Sequence, residues 1–461
     1  MPNPDVVMKF GGTSVQDAAA IDRVADIVKT RLERRPVVVV SAMSKVTDAL
    51  ISAANAAGCG DRDEALEISR KLRERHYVTA SELLGSAVFT PLHESLEEDF
   101  NALDDLLRGI AAVGELTPRT LDNVVSNGER MSSKMVAEAF RVRELNSAHV
   151  DSRQCIITDT NYGKAVPDFP RTANALKKYV RPLVEAAQVP VMGGFIGGTA
   201  DGITTTLGRG GSDFTGAIVG AGVDAKAIEI WTDVDGMMTT DPRICPSARR
   251  IRTISFEEAA ELAYFGAKVL HPATLLPAVQ KNIPVWVLNS KNPTCEGTKI
   301  VARAPRTSNP FKAIAAKKSI TIVDIVATRM LMAHGFLESI FAIFARHRCP
   351  VDMVSTSEVS VSVTVDSNEA IPAIAADLEK IADVKYEGRK AIVCLVGENI
   401  RGTRGIAAKV FGAVPDLDIR MISQGASEIN ISFVIEEAEV PQAIEKLHQR
   451  FFDDVDPEVF A

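Results

Sequence analysis

The stretch Val6-Val7-Met8-Lys9-Phe10-Gly11-Gly12-Thr13-Ser14 constrains this chain more than any other. An apolar run reads as a buried strand, and it delivers one lysine to the edge of a diglycine turn. Glycines directly after a strand let the backbone approach a ligand closely. Thr13 or Ser14 is placed to cap a following helix, aiming free N–H groups and the positive helix end at an anion. The lysine precedes the glycines, so this is not a Walker A loop, and the G-x-G-x-x-G spacing of a dinucleotide fold is absent. Two readings of Lys9 stay open: an ammonium facing a phosphate, or a lysine snorkelling from a strand end beside an ordinary βα turn.

The next segments repeat the theme. Ala18 to Leu32 has helical periodicity, Pro36 breaks it, and Val37-Val38-Val39-Val40 is a wholly apolar run ending at Ser41. This is a βαβ unit with a buried parallel strand. Residues 61–113 are rich in charge with apolar positions at helical spacing, which predicts two or three amphipathic helices forming a lid or insertion. Further βα alternation follows: helix over Gly128 to Leu145, strand over Pro190 to Gly194, helix over Ser212 to Gly222 and strand over Ala227 to Trp231. Ser255 with Glu258 signals a capped helix running to Phe265, and Pro272 opens another. After the strand Val285 to Leu288, the Pro-, Gly- and Lys-rich stretch Asn289 to Lys312 reads as a linker.

Beyond the linker the chain repeats itself. Gly335-Phe336-Leu337 matches Gly405-Ile406-Ala407, and Ser357-Glu358-Val359-Ser360 matches Ser427-Glu428-Ile429-Asn430, both pairs 70 positions apart. Each copy reads strand, helix, strand, strand, then a final helix over 368–382 or 439–450. Two small α+β modules result, serving regulation or only a dimer interface.

A chain of 461 residues holds several domains. Its net charge of −8 opposes a nucleic-acid binder, and no run approaches the roughly 18 apolar residues of a membrane span. Asp5 and Lys9 stand where a signal peptide needs its apolar core. The six cysteines lack any C-x-x-C pair, so neither zinc nor a disulfide framework is implied and a cytoplasmic chain is expected.

Chemistry gathers in four further stretches. Leu207-Gly208-Arg209-Gly210-Gly211-Ser212-Asp213 exposes consecutive N–H groups at a helix start, and Arg209 adds a planar fork for a carboxylate or phosphate. Asp213 there either answers the helix dipole or orients a phosphate-binding lysine or magnesium. Glu129, within Ser126 to Ser132, either binds an ammonium group or simply sits favourably at a helix start. Trp231 to Arg243 forms a polar loop at the C-terminal end of a strand, where α/β sheets place ligands. Lys268 lies in the apolar stretch Tyr264 to Pro272, its amine reaching a phosphate or solvent, and His271 reads as a turn residue.

Taken together, K-F-G-G-T-S from Lys9, S-N-G-E-R-M-S from Ser126, L-G-R-G-G-S-D from Leu207, W-T-D-V-D-G from Trp231 and F-G-A-K-V-L-H-P from Phe265 resemble the aspartate kinase family. Their order and the doubled ACT-like module extend the resemblance over nearly the whole chain. It implies an α/β amino acid kinase fold, a mainly parallel sheet sandwiched by helices, over residues 1–305. Two ferredoxin-like α+β ACT domains would follow over 306–388 and 389–461, the last segment returning to complete the first. The implied reaction is ATP-dependent phosphorylation of the L-aspartate β-carboxylate with Mg²⁺, the first step toward lysine, threonine and methionine.

By the same resemblance Lys9 stabilises the phosphoryl group in transfer and Asp213 organises the centre. Gly11, Gly12, Gly210 and Gly211 cradle the ATP phosphates, while Thr232, Asp233, Met238, Arg243 and Lys268 fall where the nucleotide is held. The family often has tyrosine in place of Met238. Glu129 takes the α-ammonium of aspartate and Arg209 its α-carboxylate, with Ser41 and Thr47 flanking that pocket. No residues form a dedicated protein metal cage. Phe336, Leu337, Asp352, Ser357 and Glu358 resemble the effector site of lysine-sensitive members, threonine being the alternative effector. A homodimer or homotetramer through the ACT domains is implied, with no nucleic-acid or membrane partner. No homoserine dehydrogenase segment follows the repeats, so a monofunctional chain is expected. A kinase of glutamate or N-acetylglutamate, and a catalytically silent amino-acid sensor, are the competing functions.

Overall fold

The computed structural model describes residues 4–84, 86–266, 272–305, 309–327 and 334–461. The chain gathers into two compact units, Met1–Met237 with Val269–Ala304, and Met238–Lys268 with Pro305–Ala461.

In the first unit the strand Val6–Phe10, every residue of it buried, lies within a mostly parallel sheet. Across that sheet run Ser147–Val150, Val189–Gly193, Pro36–Val40, Val6–Phe10, Ala227–Thr232, Val285–Asn289 and Thr298–Val301. All neighbours pair in parallel except Val285–Asn289 with Thr298–Val301. A parallel sheet has both faces covered, which is why Val37 to Val40 are apolar without alternation and all completely buried. At about 1.5–3 kcal/mol for each such side chain, these runs anchor the strand ends that carry the polar residues. The helix Gly211–Gly222 lies against the first strand because Gly216 and Gly220 have no side chain. A Cβ on Gly216 would stand 3.2 Å from Lys9 Cβ, and one on Gly220 would collide with Ile228 at 2.6 Å. The charged stretch forms two long helices, Arg62–Leu83 and Ser86–Val113, whose Leu72, Leu96, Phe100 and Leu107 enter the same core as Met8 and Val38.

The second unit is built on a six-stranded antiparallel sheet, in the order Val351–Thr356, Ser360–Asp366, Phe311–Val326, Asp383–Gly397, Asn430–Glu436, Met421–Gln424. The helices Phe336–Arg346 and Ile371–Leu378 belong to the first repeat, and Ile406–Ala413 and Val440–Phe452 to the second. The long central strands join the repeats into one sheet. Residues Ile320 to Val326 pair with Ser360–Asp366, whereas Phe311 to Lys317 pair with Ile392 to Gly397. The strand that opens the first repeat therefore also supplies an edge partner to the second.

Two expectations change. Asn289 to Lys312 is not a plain linker, since Thr298–Val301 is a strand hydrogen-bonded to Val285–Asn289; four residues suffice when a partner edge is already in place. Neither Thr13 nor Ser14 caps a helix: Gly12–Val15 is a single 3₁₀ turn with no side-chain cap, and Asp17 caps the helix Ala18–Lys29 through Ala20 N–H. The capping box of Ser255 with Glu258 forms as expected at the helix Phe256–Tyr264.

Candidate active site

The first unit brings three strand ends together. Gly11 N–H donates to Trp231 O, Ser41 N–H to Phe10 O and Gly194 N–H to Val40 O, at 2.8–3.1 Å. Parallel strands ending in one line put the turns after Phe10, Val40 and Gly193 on the same edge, the usual ligand edge of such a sheet. Phe10 and Trp231 stack beneath it with ring centroids 5.9 Å apart.

Above that edge Lys9 Nζ lies 2.7 Å from Asp213 Oδ1, with side chains only 10% and 16% exposed. The ammonium does not snorkel into solvent. A Cβ on Gly11 would only touch Nζ, 3.7 Å away, whereas Gly210, whose φ is +71°, turns the chain into the helix bearing Asp213 in its first turn. Gly12 is fitted against the turn after the second strand: an added Cβ would stand 2.9 Å from Ala42 O. Gly211 similarly excludes a side chain, with the Phe195 ring 2.7 Å away.

Glu129 begins the helix Asn127–Val142 and is buried. Burial raises its carboxyl to about 8, partly offset by the backbone N–H groups of Ala42 and Glu129 and by the Lys9 charge. Its Oε2 is buried with no hydrogen-bond partner. A buried acceptor left unpaired costs the desolvation of that atom, so a cationic ligand would be held strongly there. Ser41 carries its carbonyl to the Ser132 hydroxyl at 2.8 Å, and Thr47 is half-buried in the helix Val46–Gly58. Arg209 is exposed and forms no ion pair among the described residues.

Of the residues proposed for the nucleotide, Thr232 ends its strand with its carbonyl holding Ser290 through N–H and hydroxyl at 2.8 and 3.0 Å. Asp233 is exposed and accepts from the Thr232 hydroxyl at 3.4 Å. Met238 and Arg243 belong to the second compact unit. Met238 bridges to Arg250, while Arg243 pairs with Asp241 at 2.7 Å and keeps its side chain 88% exposed. Lys268 and His271 lie outside the described residues. In the first repeat Asp352 pairs with Lys317, Ser357 and Ser360 share a hydrogen bond at 2.7 Å, Phe336 is half-buried, and Leu337 and Glu358 are exposed.

Several supporting residues escaped the sequence reading. Asp122 accepts from Thr206 N–H and hydroxyl at 2.9 and 2.7 Å and from Gly163 N–H at 3.0 Å, pinning the strand that leads into the Arg209 loop. No local pattern marks it, because its partners lie far along the chain. Phe195 adopts φ +66°, unusual for a bulky residue, with its N–H on the Thr215 hydroxyl at 3.0 Å. Here a signal existed: Val191-Met192-Gly193-Gly194-Phe195 repeats the strand-diglycine pattern of the opening stretch. Gly194 accordingly meets the first turn of the second glycine loop, an added Cβ standing 2.7 Å from Ser212 Cβ.

Residues 5–289 match the amino acid kinase family, and residues 323–376 and 393–451 match the ACT domain. The chain is 38% identical over 458 residues to lysine-sensitive aspartokinase 3 of Escherichia coli (strain K12), covering 97% of this chain and 99% of that one. It is 39% identical to the chloroplastic aspartokinase 1 of Arabidopsis thaliana, covering 98% and 80%. The crystal structure of E. coli aspartokinase III in complex with lysine and aspartate (T-state) superposes with a TM-score of 0.85 at 37% identity, covering 97% and 99%. The same enzyme in complex with aspartate and ADP (R-state) gives 0.83 at 36% identity, covering 97% and 100%. With these matches added to the two glycine turns and the Lys9–Asp213 contact they carry, the chain belongs to the aspartokinases and is an aspartate kinase with C-terminal ACT domains.

Proposed function

We propose that this chain transfers the γ-phosphoryl group of ATP to the β-carboxylate of L-aspartate, giving 4-phospho-L-aspartate and ADP. The observation that carries this reading is the 2.7 Å contact between Lys9 and Asp213 at the edge where two glycine-rich turns meet. The β-carboxylate, with an ordinary pKa near ~3.9, is already ionised at neutral pH, so attack on phosphorus needs no general base. One oxygen–phosphorus bond forms as the bond to the ADP oxygen breaks, and the obstacle is repulsion between two anions. Lys9 and the N–H groups at Gly12 and Gly210 supply positive charge where the equatorial oxygens gather it, while Gly11 and Gly211, whose N–H groups donate to Trp231 O and Gly208 O, let the backbone come close to the phosphates. Glu129 receives the α-ammonium and Arg209 the α-carboxylate, with Ser41 and Thr47 beside them.

Magnesium fits this site as a companion of the nucleotide. Among the described residues no cluster of three or more His, Cys, Asp or Glu could hold a metal. Mg²⁺ needs only one or two carboxylates besides phosphate oxygens and water, and Asp213 is the carboxylate in place. When bound, the ion would neutralise phosphate charge. Thr232, Asp233, Met238, Arg243 and Lys268 are proposed for the nucleotide, on the family resemblance.

The kinase part is proposed to extend to about residue 305, with ACT modules over 306–388 and 389–461 acting as a feedback sensor. The proposed effector is lysine at the first repeat, since a relative named lysine-sensitive matches over 97% of the chain; inhibition by threonine alone would reassign it. An assembly of two or four copies through the ACT modules is part of the proposal, as is the step's place in the synthesis of lysine, threonine and methionine.

Lys9→Ala and Asp213→Ala test the chemistry. Each is expected to lower formation of hydroxylamine-trapped acyl phosphate by at least about 100-fold while the melting temperature stays near that of the parent. Near-normal turnover in either folded variant removes the mechanism. Running the parent enzyme on aspartate, glutamate and N-acetylglutamate decides the acceptor.

A further inference from the structure

The carboxylate of Asp352 opens the strand Val351–Thr356 of the first repeat, yet it does not stand ready for a ligand. Its side chain is only 3% exposed and its oxygens take Lys317 Nζ at 2.8 and 2.9 Å. Tyr264 hydroxyl donates to Oδ1 at 2.7 Å, and the Lys317 ammonium lies 5.4 Å from the Tyr264 ring centroid. Asp366 also reaches Lys317, at 2.9 Å. Of the two carboxylates in the stretch that resembles an effector site, Asp352 and Glu358, Asp352 is the one with a buried side chain, and it already holds an ammonium of the chain itself.

A structural ion pair would be the plain account, and the internal repeat supplies its control. The residue 70 positions beyond Asp352 is Ile422, and the one 70 beyond Lys317 is Glu387. There Glu387 makes an open ion pair of reversed sign with Arg420, at 3.3 Å, so the second repeat builds the same helix and strand pattern without a buried carboxylate holding an ammonium. Lys317 also sits where the long strand can yield. Its pairing with Asp383–Gly397 shifts register between Lys317 and Ile320, and Ser319 has φ +59°.

The helix Phe256–Tyr264 is tied at both repeats. Tyr264 holds Asp352 of the first, while Glu261 accepts from Ser427 hydroxyl at 3.2 Å and Asn430 Nδ2 at 2.9 Å in the second. Beyond it Gly266, φ +119°, closes on the backbone beside Lys317, where an added Cβ would stand 2.6 Å from Ala316 O. Lys268, proposed for the nucleotide, is four residues past Tyr264 in sequence.

We propose that Asp352 is a contested carboxylate, for which the ammonium of the amino-acid effector competes with Lys317, and that Tyr264 carries the outcome to the helix Phe256–Tyr264. The inference rests on the reading of the first repeat as an amino-acid sensor. Exchanging one ammonium for another leaves the buried charge balanced, so the swap avoids stranding a naked carboxylate. Burial opposes the Lys317 charge, but hydrogen bonds and the charges of Asp352 and Asp366 outweigh it and hold its pKa above the usual lysine range. The effector therefore meets a real competitor. Lys317 sets sensitivity and Tyr264 acts as a positioning residue for the signal.

The test uses the full chain and free L-lysine, measuring half-inhibition at saturating substrates and the melting shift that lysine induces. Without lysine, Lys317→Gln, Lys317→Arg and Tyr264→Phe are all expected within twofold of the parent turnover. Lys317→Gln should lower the half-inhibitory concentration at least several-fold and enlarge the melting shift. Lys317→Arg should behave as the parent. Tyr264→Phe should keep the melting shift, showing that lysine still binds, while inhibition weakens. Lys317→Met, which keeps the apolar stem over the Tyr264 ring, repeats the first arm if the glutamine variant is unstable. A parent inhibited by lysine whose Lys317→Gln, Lys317→Met or Tyr264→Phe variants respond as it does overturns the inference alone. A parent that responds to neither lysine, threonine nor methionine removes the sensor reading and this inference with it.

Discussion

Glu129 shows how one residue can carry a pH dependence through burial alone. Its carboxyl, raised to about 8, keeps a proton in the folded chain across a range where the unfolded chain has lost it. In that window, from the ordinary carboxylate range up to about 8, the unfolded state binds fewer protons and this group weakens folding as pH rises. An arriving α-ammonium reverses the balance, since it favours the ionised form and expels the proton. KM for aspartate is thus expected to rise as pH falls below about 8, by up to about tenfold per unit. Glu129→Gln should raise KM and flatten that profile. Initial rates at saturating ATP between about pH 6 and 9 check it, and a flat profile in the parent enzyme would mean Glu129 is ionised before substrate binds. Sequence pattern offered Glu129 two roles at a helix start; its burial and its unpaired Oε2 favour the ligand over the dipole.

At the scale of elements, the two glycine turns differ from the glycines around them by what surrounds them. Gly12→Ala would drive a methyl to 2.9 Å from Ala42 O and 3.4 Å from Ser44 N, both backbone atoms that cannot turn aside. The variant should lose roughly 1–3 kcal/mol of stability and a large part of kcat, because the turn that sets Lys9 must shift. Gly109, in the helix Ser86–Val113, meets nothing within 4 Å, so Gly109→Ala should stabilise by about 0.5–1 kcal/mol with activity unchanged. Melting curves and acyl phosphate assays on both variants separate conformational freedom from fit; equal behaviour would refute the distinction. Most elements were legible in advance because their periodicity is local: the runs at Val37 and Ala227 and the helix from Gly211 follow from apolar spacing alone. Thr298–Val301 was not, since so short a strand exists only by pairing with Val285–Asn289.

For the whole molecule, the compact units divide between Ala304 and Pro305 and also set one earlier segment apart. The segment Met238–Lys268 belongs with the C-terminal unit. There Thr239 hydroxyl bonds His448 at 2.9 Å, Ile251 pairs with Phe460, and Glu261 holds Ser427 and Asn430. A chain ended after Ala304 would leave Ile251, Ile254, Phe256 and Leu262, all buried in the intact chain, without their cover. Such a truncation is expected to aggregate or melt well below the parent. A soluble, cooperatively folding and active 1–304 chain would show that the segment folds without the ACT modules.

The sequence by itself determined the alternation of strands and helices, the turns that punctuate them, the doubled module and the family, because each is written in local spacing or in ordered motifs. It nominated Lys9, Asp213, Arg209 and Glu129 with alternatives for each. Only tertiary structure decided that Lys9 and Asp213 touch across 204 positions, that Asp122 braces the loop before Arg209, and that Lys317 already occupies Asp352. These depend on which strand ends align and how closely glycines let backbones approach. A linear pattern carries no such distances, and burial, which separates a paired charge from a solvated one, arises only when distant segments close over it.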